Sequence, residues 1–363
     1  MKHLVKLKDI ASYSKGTQIN GDDLANDAEY KYLNGGINPS GKWKEANCMA
    51  NTVTISEGGN SCGYVNYMTE PFWCGAHCYY IYDTIKNTQY LYYALKSQQD
   101  RIMELRSGAC MPNIKKGDLG NFKFIIDDDS YEQEKISTVL GKLEKLKRVR
   151  EYELIELNNL VRGRFVELFG DPVSNSYGLP EATLPELGVF GRGVSKHRPR
   201  NDPKLLGGDY PLIQTGDIAN AGLYITSYNS TYSEFGLKQS KMWEKGTLCI
   251  TIAANIAKTA ILEFDACFPD SVVGFIANER TNNIFIHYWF SFFQAILESQ
   301  APESAQKNIN LKILSELKVI VPEKERQNEF ANFVHRIDKS KFRGFSMLTT
   351  MKSAYEQQTL IYP

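Results

Sequence analysis

The chain has 363 residues, which is enough for about two domains of ordinary size. Hydrophobic residues make up 42% and charged residues 23%, as in globular proteins, and no apolar run approaches the roughly 18 residues of a membrane span. The 42 basic residues balance 42 acidic ones, and this zero formal charge argues against a chain that holds nucleic acid alone by bulk electrostatics.

The N-terminal segment and the cysteines indicate the compartment. Residues 1–9 (MKHLVKLKD) carry a charge at every second or third position, so they lack the apolar core of a signal peptide. The seven cysteines are an odd number at irregular positions, which disfavours a disulfide framework. We therefore expect a cytoplasmic protein without membrane association.

The first predicted elements form a mixed globular module over residues 1–129. Apolar runs broken by glycine predict strands over Thr52 to Ile55, Tyr79 to Tyr82 and Lys123 to Ile126. One aromatic stretch, Gln89 to Leu105, has helical spacing. Strands and helices together predict an α/β module of the α+β type.

A long amphipathic helix is predicted after this module. Residues 130–133 (SYEQ) have the form of a capping box, and residues 170–172 (GDP) are a stop signal. From Glu132 to Phe169 the helix would span about 57 Å at roughly 1.5 Å per residue. Its apolar stripe consists of Ile136, Val139, Leu143, Leu146, Leu154, Leu157, Val161, Phe165 and Leu168.

The second half of the chain repeats the first half in the same order. The matching segments are residues 13–16 (YSKG) and 190–193 (FGRG), 30–36 and 210–216, 52–60 and 247–255, and 113–126 and 308–321. The aromatic stretch recurs at Ile284 to Leu297, and a second long helix is predicted over Glu323 to Leu360. An ordered series of matches with only small insertions indicates internal duplication.

Two long amphipathic helices in one chain most simply pack against each other as an antiparallel coiled coil. The fold predicted is therefore two globular domains, each followed by a long helix, with pseudo-twofold internal duplication. The residues expected to pack the helices or dock partners are Ile136, Val139, Leu143, Leu146, Leu154, Leu157, Val161, Phe330, Val334 and Ile337. The predicted segments are 1–129 (first domain), 130–171 (first helix), 172–322 (second domain) and 323–363 (second helix).

One group of residues suggests a metal site. Cys74, His77 and Cys78 have the chemistry of zinc ligands. However, no second cysteine pair at ligand spacing completes a tetrahedron, and the corresponding positions in the second copy do not carry these residues. Packing of small hydrophobic thiols is the favoured interpretation, with no metal.

Catalytic motifs are absent from the sequence. Residues 58–63 (GGNSCG) resemble a phosphate-binding loop but lack its closing Lys-Ser/Thr. Nucleophile-elbow, zinc-protease and kinase motifs are missing, and so is the Asn-Pro-Pro-Tyr/Phe type of motif that an amino-methyltransferase uses to hold adenine. We predict that the chain is not an enzyme and binds no cofactor.

Polar and basic residues in loops are the candidate DNA contacts. Residues 196–200 (KHRPR) form the densest basic loop. Arg and Lys pair with guanine or phosphate, and Asn and Gln suit adenine, whereas a solvated loop is the alternative for each residue. The candidates are Lys15, Gln18, Asn60 and Lys115 in the first module, and Lys196, Arg198, Arg200, Gln214, Asn255, Lys258, Gln306 and Lys307 in the second.

This order of elements resembles the specificity (S) subunit of type I restriction-modification DNA methyltransferases. The resemblance is carried by module and helix occurring twice, by Glu132-Gln133 and Arg326-Gln327 at helix starts after apolar strands, and by residues 164–172 (RFVELFGDP) closing the first helix. It implies that the modules are two target-recognition domains, each reading half of a bipartite, asymmetric DNA site. The long helices would be the spacers between them.

The resemblance also implies the partners. These are double-stranded DNA, two modification (methyltransferase) subunits docked on the long helices, and restriction subunits that can join the assembly. S-adenosylmethionine is expected in the modification subunit. If both modules enter the major groove from one side, the half-site centres lie about one helical turn, roughly 10 base pairs, apart. The alternatives are a duplicated protein–protein scaffold that does not read DNA and, less favoured, a fused methyltransferase.

Overall fold

The chain contains two compact units. The computed structural model describes residues 1–108, 112–253, 256–300 and 309–359. The first unit comprises Met1–Glu151 with Phe345–Pro363, and the second comprises Tyr152–Gly344. Each unit contains a globular domain of sheets and short helices together with part of the long helices.

The first domain is built on three small sheets. Its strands are β1 (Lys2–Lys6), β2 (Ala11–Lys15), β3 (Tyr30–Leu33), β4 (Gly41–Trp43), β5 (Thr52–Ser56), β6 (Val65–Met68), β7 (Phe72–Cys74), β8 (Cys78–Thr84) and β9 (Lys123–Asp127). Its helices are α1 (Leu7–Ile10), α2 (Thr88–Lys96), α3 (Gln99–Met103) and α4 (Lys116–Asn121), and the long α5 (Ser130–Phe169) follows. The sheet orders are β2-β8-β5-β6, β4-β3-β7 and β1-β9.

The second domain has larger sheets. Its strands are β10 (Glu181–Thr183), β11 (Gly188–Arg192), β12 (Leu206–Leu212), β13 (Tyr224–Ile225), β14 (Ser230–Tyr232), β15 (Met242–Trp243), β16 (Leu248–Thr251), β17 (Thr259–Leu262), β18 (Ala266–Cys267), β19 (Val272–Ala277) and β20 (Lys318–Ile320). Its helices are α6 (Leu184–Leu187), α7 (Thr215–Asn220), α8 (Glu234–Lys238), α9 (Asn283–Gln300), α10 (Leu311–Glu316) and the long α11 (Lys324–Thr359). The sheet orders are β11-β19-β16-β17-β13, β14-β12-β18-β15 and β10-β20.

The duplication is confirmed by equivalent hydrogen bonds in the two domains. The backbone N–H of Ile114 donates to the carbonyl oxygen of Glu57 at 2.9 Å, and that of Ile309 donates to the carbonyl oxygen of Ile252 at 3.0 Å. The outer strand pairs β1-β9 and β10-β20 are both antiparallel. The backbone therefore follows the same course through these parts of the two domains.

A repeated glycine has a packing reason. A Cβ atom on Gly16 would lie 2.0 Å from the carbonyl oxygen of Cys74, and one on Gly193 would lie 2.3 Å from that of Phe268. Two non-bonded heavy atoms need about 3.5 Å or more, so only glycine fits at either position. This close backbone approach explains why both copies of the YSKG-like motif end in glycine.

The predicted strands over residues 52–55, 79–82 and 123–126 are confirmed as β5, β8 and β9. The single helix predicted over Gln89 to Leu105 is wrong, because this stretch forms α2 and α3. Gln98 leaves the helical conformation with φ −103° and ψ 21°. Its buried side chain and the packing of both helices fix this break, which the aromatic periodicity does not reveal.

The start of α5 differs from the predicted capping box. The carboxylate of Asp129, and not the side chain of Ser130, accepts from the backbone N–H of Tyr131 at 2.9 Å. Asp is as good an N-cap as Ser, so the true cap lies one residue earlier. The predicted stop is confirmed: α5 ends at Phe169, and Gly170 follows with φ +75°.

The two long helices pack antiparallel where the second unit contains both. The ring of Phe165 on α5 lies 5.3 Å from that of Phe330 on α11, and both side chains are fully buried. Arg164 contacts Glu329 at 2.5 Å, and Arg326 donates to the carbonyl oxygen of Leu168 at 3.4 Å. Residue numbers rise on one helix as they fall on the other, as expected for an antiparallel pair.

Among the residues that the structure describes, no helix is sufficiently long and apolar to cross a lipid bilayer.

Candidate nucleic-acid interface

In the first domain, three charged or titratable side chains from separate strands meet at one point. Lys15 ends β2, Glu57 follows β5 and His77 precedes β8. The ammonium of Lys15 donates to Glu57 Oε1 at 2.6 Å, and His77 Nδ1 lies 3.4 Å from Glu57 Oε2. The Glu57 side chain is 12% exposed, against 45% for Lys15 and 58% for His77. The carboxylate is thus the inner member of the group.

Two amide side chains extend this group across the surface. Asn34 Nδ2 donates to Gln18 Oε1 at 3.1 Å. The Asn34 Oδ1 atom accepts from the backbone N–H of His77, also at 3.1 Å. We call Lys15, Gln18, Asn34, Glu57 and His77 the Glu57 cluster.

The other two candidates of the first domain lie beside this cluster. The backbone N–H of Gly59 donates to the carbonyl oxygen of Pro112 at 3.0 Å, so the segments around these residues run side by side. Asn60 and Lys115, both exposed, follow these two segments. The fold therefore brings the segments that carry all four predicted residues close to Glu57, a residue that the sequence pattern did not single out.

The chemistry of this surface suits base recognition. Lys donates to the N7 and O6 acceptors of guanine, and Asn and Gln match the edge of adenine. The carboxylate beside the lysine offsets its charge, which weakens the attraction of this lysine to phosphate. The only sequence signal for Glu57 is an acidic residue at the end of an apolar strand.

In the second domain, the predicted basic loop is held by an acidic residue from another segment. Arg198 Nη1 donates to the carbonyl oxygen of Ser195 at 2.7 Å, and Arg198 Nη2 lies 3.5 Å from Asp270 Oδ2. Arg200 also pairs with Asp270. Because two guanidinium groups share one carboxylate, the loop keeps a net positive charge. Lys196 is exposed next to them.

The remaining candidates of the second domain are dispersed. Gln214 is exposed before α7, and its backbone N–H donates to the carboxylate of Asp217 at 2.8 Å. Lys258 is half-buried, and its N–H donates to Thr251 Oγ1 at 3.1 Å. Within the described ranges, no hydrogen bond or ion pair joins either to the basic loop. The candidates outside the described residues are Asn255, Gln306 and Lys307.

The predicted stripe of α5 divides into buried and exposed parts. Ile136 and Leu143 are half-buried and pack against the core of the first domain, a contact that the sequence did not predict for them. Val139 and Leu146 are 38% and 46% exposed. The physical reason is that one end of this 40-residue helix covers its own domain, which the stripe alone cannot distinguish from a coiled coil.

The remaining residues of the set lie in the second unit. Val161, Phe330 and Val334 are buried in its core, and Ile337 packs against them. Leu154 and Leu157 are half-buried. Further exposed apolar side chains follow along α5: Val149, Tyr152, Ile155, Leu160 and Val166.

The cysteine pair Cys74 and Cys78 is joined in the fold by Cys48. All three are buried in a small apolar cluster with Phe72. The neighbouring thiols of Cys48 and Cys78, together with burial, raise the pKa of Cys74 well above its usual range. Among the described residues, no group of three or more His, Cys, Asp or Glu side chains is arranged to hold a metal ion. This location agrees with the packing interpretation.

The same arrangement of domains is found in known proteins. The sequence profile described as "Type I restriction modification DNA specificity domain" matches residues 2–159 and 186–343. A protein of Mycoplasma genitalium named as a type I specificity subunit is 28% identical over 323 residues, covering 84% of this chain and 78% of that protein. A protein of Mycoplasma pneumoniae with the same kind of name is 35% identical over 154 residues, covering 42% of this chain and 40% of that protein.

Solved structures share the fold. The crystal structure of the S subunit of a type I restriction-modification system from M. genitalium has a TM-score of 0.70 at 21% identity, covering 99% of this chain and 95% of that chain. A chain from a study of complex assembly and conformational transition in a type I R-M system has a TM-score of 0.54 at 12% identity, covering 99% and 96%. The predicted fold of two domains and two long helices is confirmed by these likenesses.

Proposed function

This chain belongs to the family of type I restriction-modification DNA specificity domains, and we propose that it reads a bipartite, asymmetric DNA site for an adenine methyltransferase complex. The observation that carries the proposal is that the specificity-domain profile matches twice, once over each domain. Each domain reads one half of the site. The chain selects the sequence, and the modification subunits transfer the methyl group.

The asymmetry of the target follows from different side chains at equivalent positions. Glu57 and Ile252 accept the same backbone hydrogen bond in their two domains, but one carries a carboxylate and the other an alkyl group that is 2% exposed. Two such surfaces present different donors and acceptors to the major groove. The two half-sites therefore differ in sequence.

The partners dock on the long helices. Exposed apolar residues such as Val139 and Leu146 on α5 supply the surface on which two modification subunits bind. Those subunits carry S-adenosylmethionine and take the target adenine out of the stack before methylating it. The partners supply much of the phosphate neutralisation, in keeping with the zero net charge of this chain. Restriction subunits join the same cytoplasmic assembly in systems that also cleave DNA.

Methylation mapping tests the proposal. The chain is expressed with its cognate modification subunit in a host that lacks adenine methylation, and N6-methyladenine is mapped over the genome. The expected motif has two short, different half-sites with a fixed gap, and their centres are roughly 10 base pairs apart. A continuous motif would contradict the two-reader mechanism. If the modification subunit alone methylates the same motif, this chain does not read DNA, and the alternative of a protein–protein scaffold is supported instead.

A further inference from the structure

We infer that Glu57 is a positioning residue that sets the specificity of the first domain: it aims the Lys15 ammonium at a guanine in the first half-site. This inference rests on the proposed function and deepens it. The observation that carries it is the position of the Glu57 carboxylate, which is 12% exposed and lies between two exposed side chains. Its Oε1 is 2.6 Å from Lys15 Nζ, and its Oε2 is 3.4 Å from His77 Nδ1.

The backbone fixes the position of Glu57. Its N–H donates to the carbonyl oxygen of His77 at 2.8 Å, and its own carbonyl oxygen accepts from Ile114 at 2.9 Å. The same carbonyl oxygen accepts from the thiol of Cys62 at 3.0 Å. These contacts come from three separate segments, so the carboxylate stands on a rigid part of the domain.

The carboxylate in turn orders the lysine. A free lysine ammonium is a flexible point charge that contacts any phosphate. Here Glu57 holds it by one hydrogen bond, and the ring of Tyr79 lies 5.6 Å from the nitrogen. The ammonium has three donors, and Glu57 uses one, so two remain for the surface.

Two remaining donors match the major-groove edge of guanine. Guanine presents two acceptors there, N7 and O6, and no other base presents that pair. The Glu57 carboxylate also repels phosphate, which directs Lys15 toward base edges. His77 bounds the carboxylate on its other side, and its backbone N–H is held by Asn34, so the cluster keeps one geometry.

The second domain has no carboxylate at the position equivalent to Glu57, so it serves as an internal control. The backbone N–H of Ile252 donates to the carbonyl oxygen of Ser271 at 3.0 Å, as that of Glu57 does to His77. Ile252 and Ser271 therefore stand where Glu57 and His77 stand in the first domain. No carboxylate occupies the Ile252 position, so a change at Glu57 acts on one half-site only.

The test maps the methylated motif of the whole complex with Glu57→Gln. The expected result is that discrimination at one guanine of a single half-site falls roughly tenfold or more, as for the loss of a bidentate base contact. The other half-site and the gap stay unchanged. A purely structural role would instead lower methylation at every site without altering the motif.

Two further variants complete the experiment. Lys15→Met removes the hydrogen-bond donors at an exposed position and should lower the discrimination for the same guanine. This variant gives a readout even if Glu57→Gln fails to assemble. Glu70→Gln breaks the exposed 2.8 Å ion pair with Lys31 in the same domain and should leave the motif intact. The inference is overturned if Lys15→Met leaves the motif unaltered. It is also overturned if the half-site that these variants affect contains no guanine in the wild-type motif. A wild-type motif that is not bipartite overturns the proposed function itself.

Discussion

Gln133 and Gln327 occupy equivalent positions in the first turns of the two long helices and make the same hydrogen bond. Nε2 of Gln133 donates to the carbonyl oxygen of Asp127 at 2.7 Å, and that of Gln327 donates to the carbonyl oxygen of Pro322 at 2.8 Å. Both side chains are buried, at 4% and 0% exposure. Each amide ties a long helix to the preceding segment, at the last residue of β9 for Gln133 and two residues after β20 for Gln327.

Replacing either glutamine with leucine should destabilise its unit. Each of Gln133→Leu and Gln327→Leu leaves a carbonyl oxygen without this donor, part-buried at Asp127 and buried at Pro322, at a cost of about 1–3 kcal/mol. The urea midpoint of unfolding measures the change. Glu134→Leu, at an exposed position of α5, is the control and should shift the midpoint little. Equal midpoints for all three variants would contradict the role of the glutamines.

Alanine at the two motif glycines should be poorly tolerated. Gly16→Ala and Gly193→Ala place a Cβ within 2.0 Å and 2.3 Å of a backbone carbonyl oxygen, so the strands must separate. Overpacking a well-packed core typically costs about 1–3 kcal/mol, and backbone neighbours yield less than side chains do. Thermal unfolding checks this. Gly21→Ala and Gly222→Ala, whose Cβ atoms meet nothing within 4 Å, should behave as the wild type.

The exposed apolar face of α5 should be required for assembly. The double variant Val139→Asp, Leu146→Asp places two charges on this face, where the two side chains are 38% and 46% exposed. The chain should still fold but should no longer co-purify with the modification subunits. Leu143 is unsuitable for this test because it packs on the first domain. Arg148→Ser lies on roughly the opposite side of the helix and should leave assembly intact. An intact complex with the double variant would argue against docking at this face.

The basic loop should contribute nonspecific affinity. Arg198→Ala and Arg200→Ala each remove one positive charge from the loop, and Asp270 neutralises only one of the two. Binding of the complex should weaken equally on cognate and unrelated duplexes, and the slope of log affinity against log salt should fall by about one. Gel shifts at several salt concentrations measure this. Lys312→Ala, on α10 and 78% exposed at its side chain, serves as the control. A change in the methylated motif would show base reading instead.

A buried histidine should make the second domain sensitive to acid. Burial and, to a smaller extent, the charge of Lys341 lower the pKa of His287 from 6.5 to about 4. Its Nδ1 lies 2.9 Å from Thr259 Oγ1. Between these pKa values the unfolded chain binds more protons than the folded one. Stability should therefore be complete above pH 6.5 and fall toward pH 4, by about 3 kcal/mol in total.

Urea midpoints across this pH range test the histidine. His287→Gln keeps a polar side chain at this position but cannot gain the proton, so its stability should change less between pH 6.5 and pH 4. Comparison above pH 6.5 separates this effect from any loss of packing. The prediction fails if the wild type and the variant lose stability in parallel.

The sequence determined the order of the domains and long helices of this protein, and three of its strands. Periodicity and glycine breaks located β5, β8 and β9, and the repeated motifs established the duplication. These features could be predicted because they are encoded locally: a glycine such as Gly170 ends a helix through its own φ angle. The break between α2 and α3 was missed because packing overrides a continuous helical pattern there.

Only the tertiary structure decided which side chains meet. The side chains of Lys15, Glu57 and His77 converge because β2, β5 and β8 lie in one sheet. Cys48 lies near Cys74 because it pairs with Phe72 of β7, the strand that ends at Cys74. The apolar stripe of α5 likewise divides between a domain core and an exposed face. Sheet pairing and helix docking are nonlocal, and their free energy depends on surfaces far apart in the sequence. Residue patterns alone therefore could not place Glu57 between Lys15 and His77.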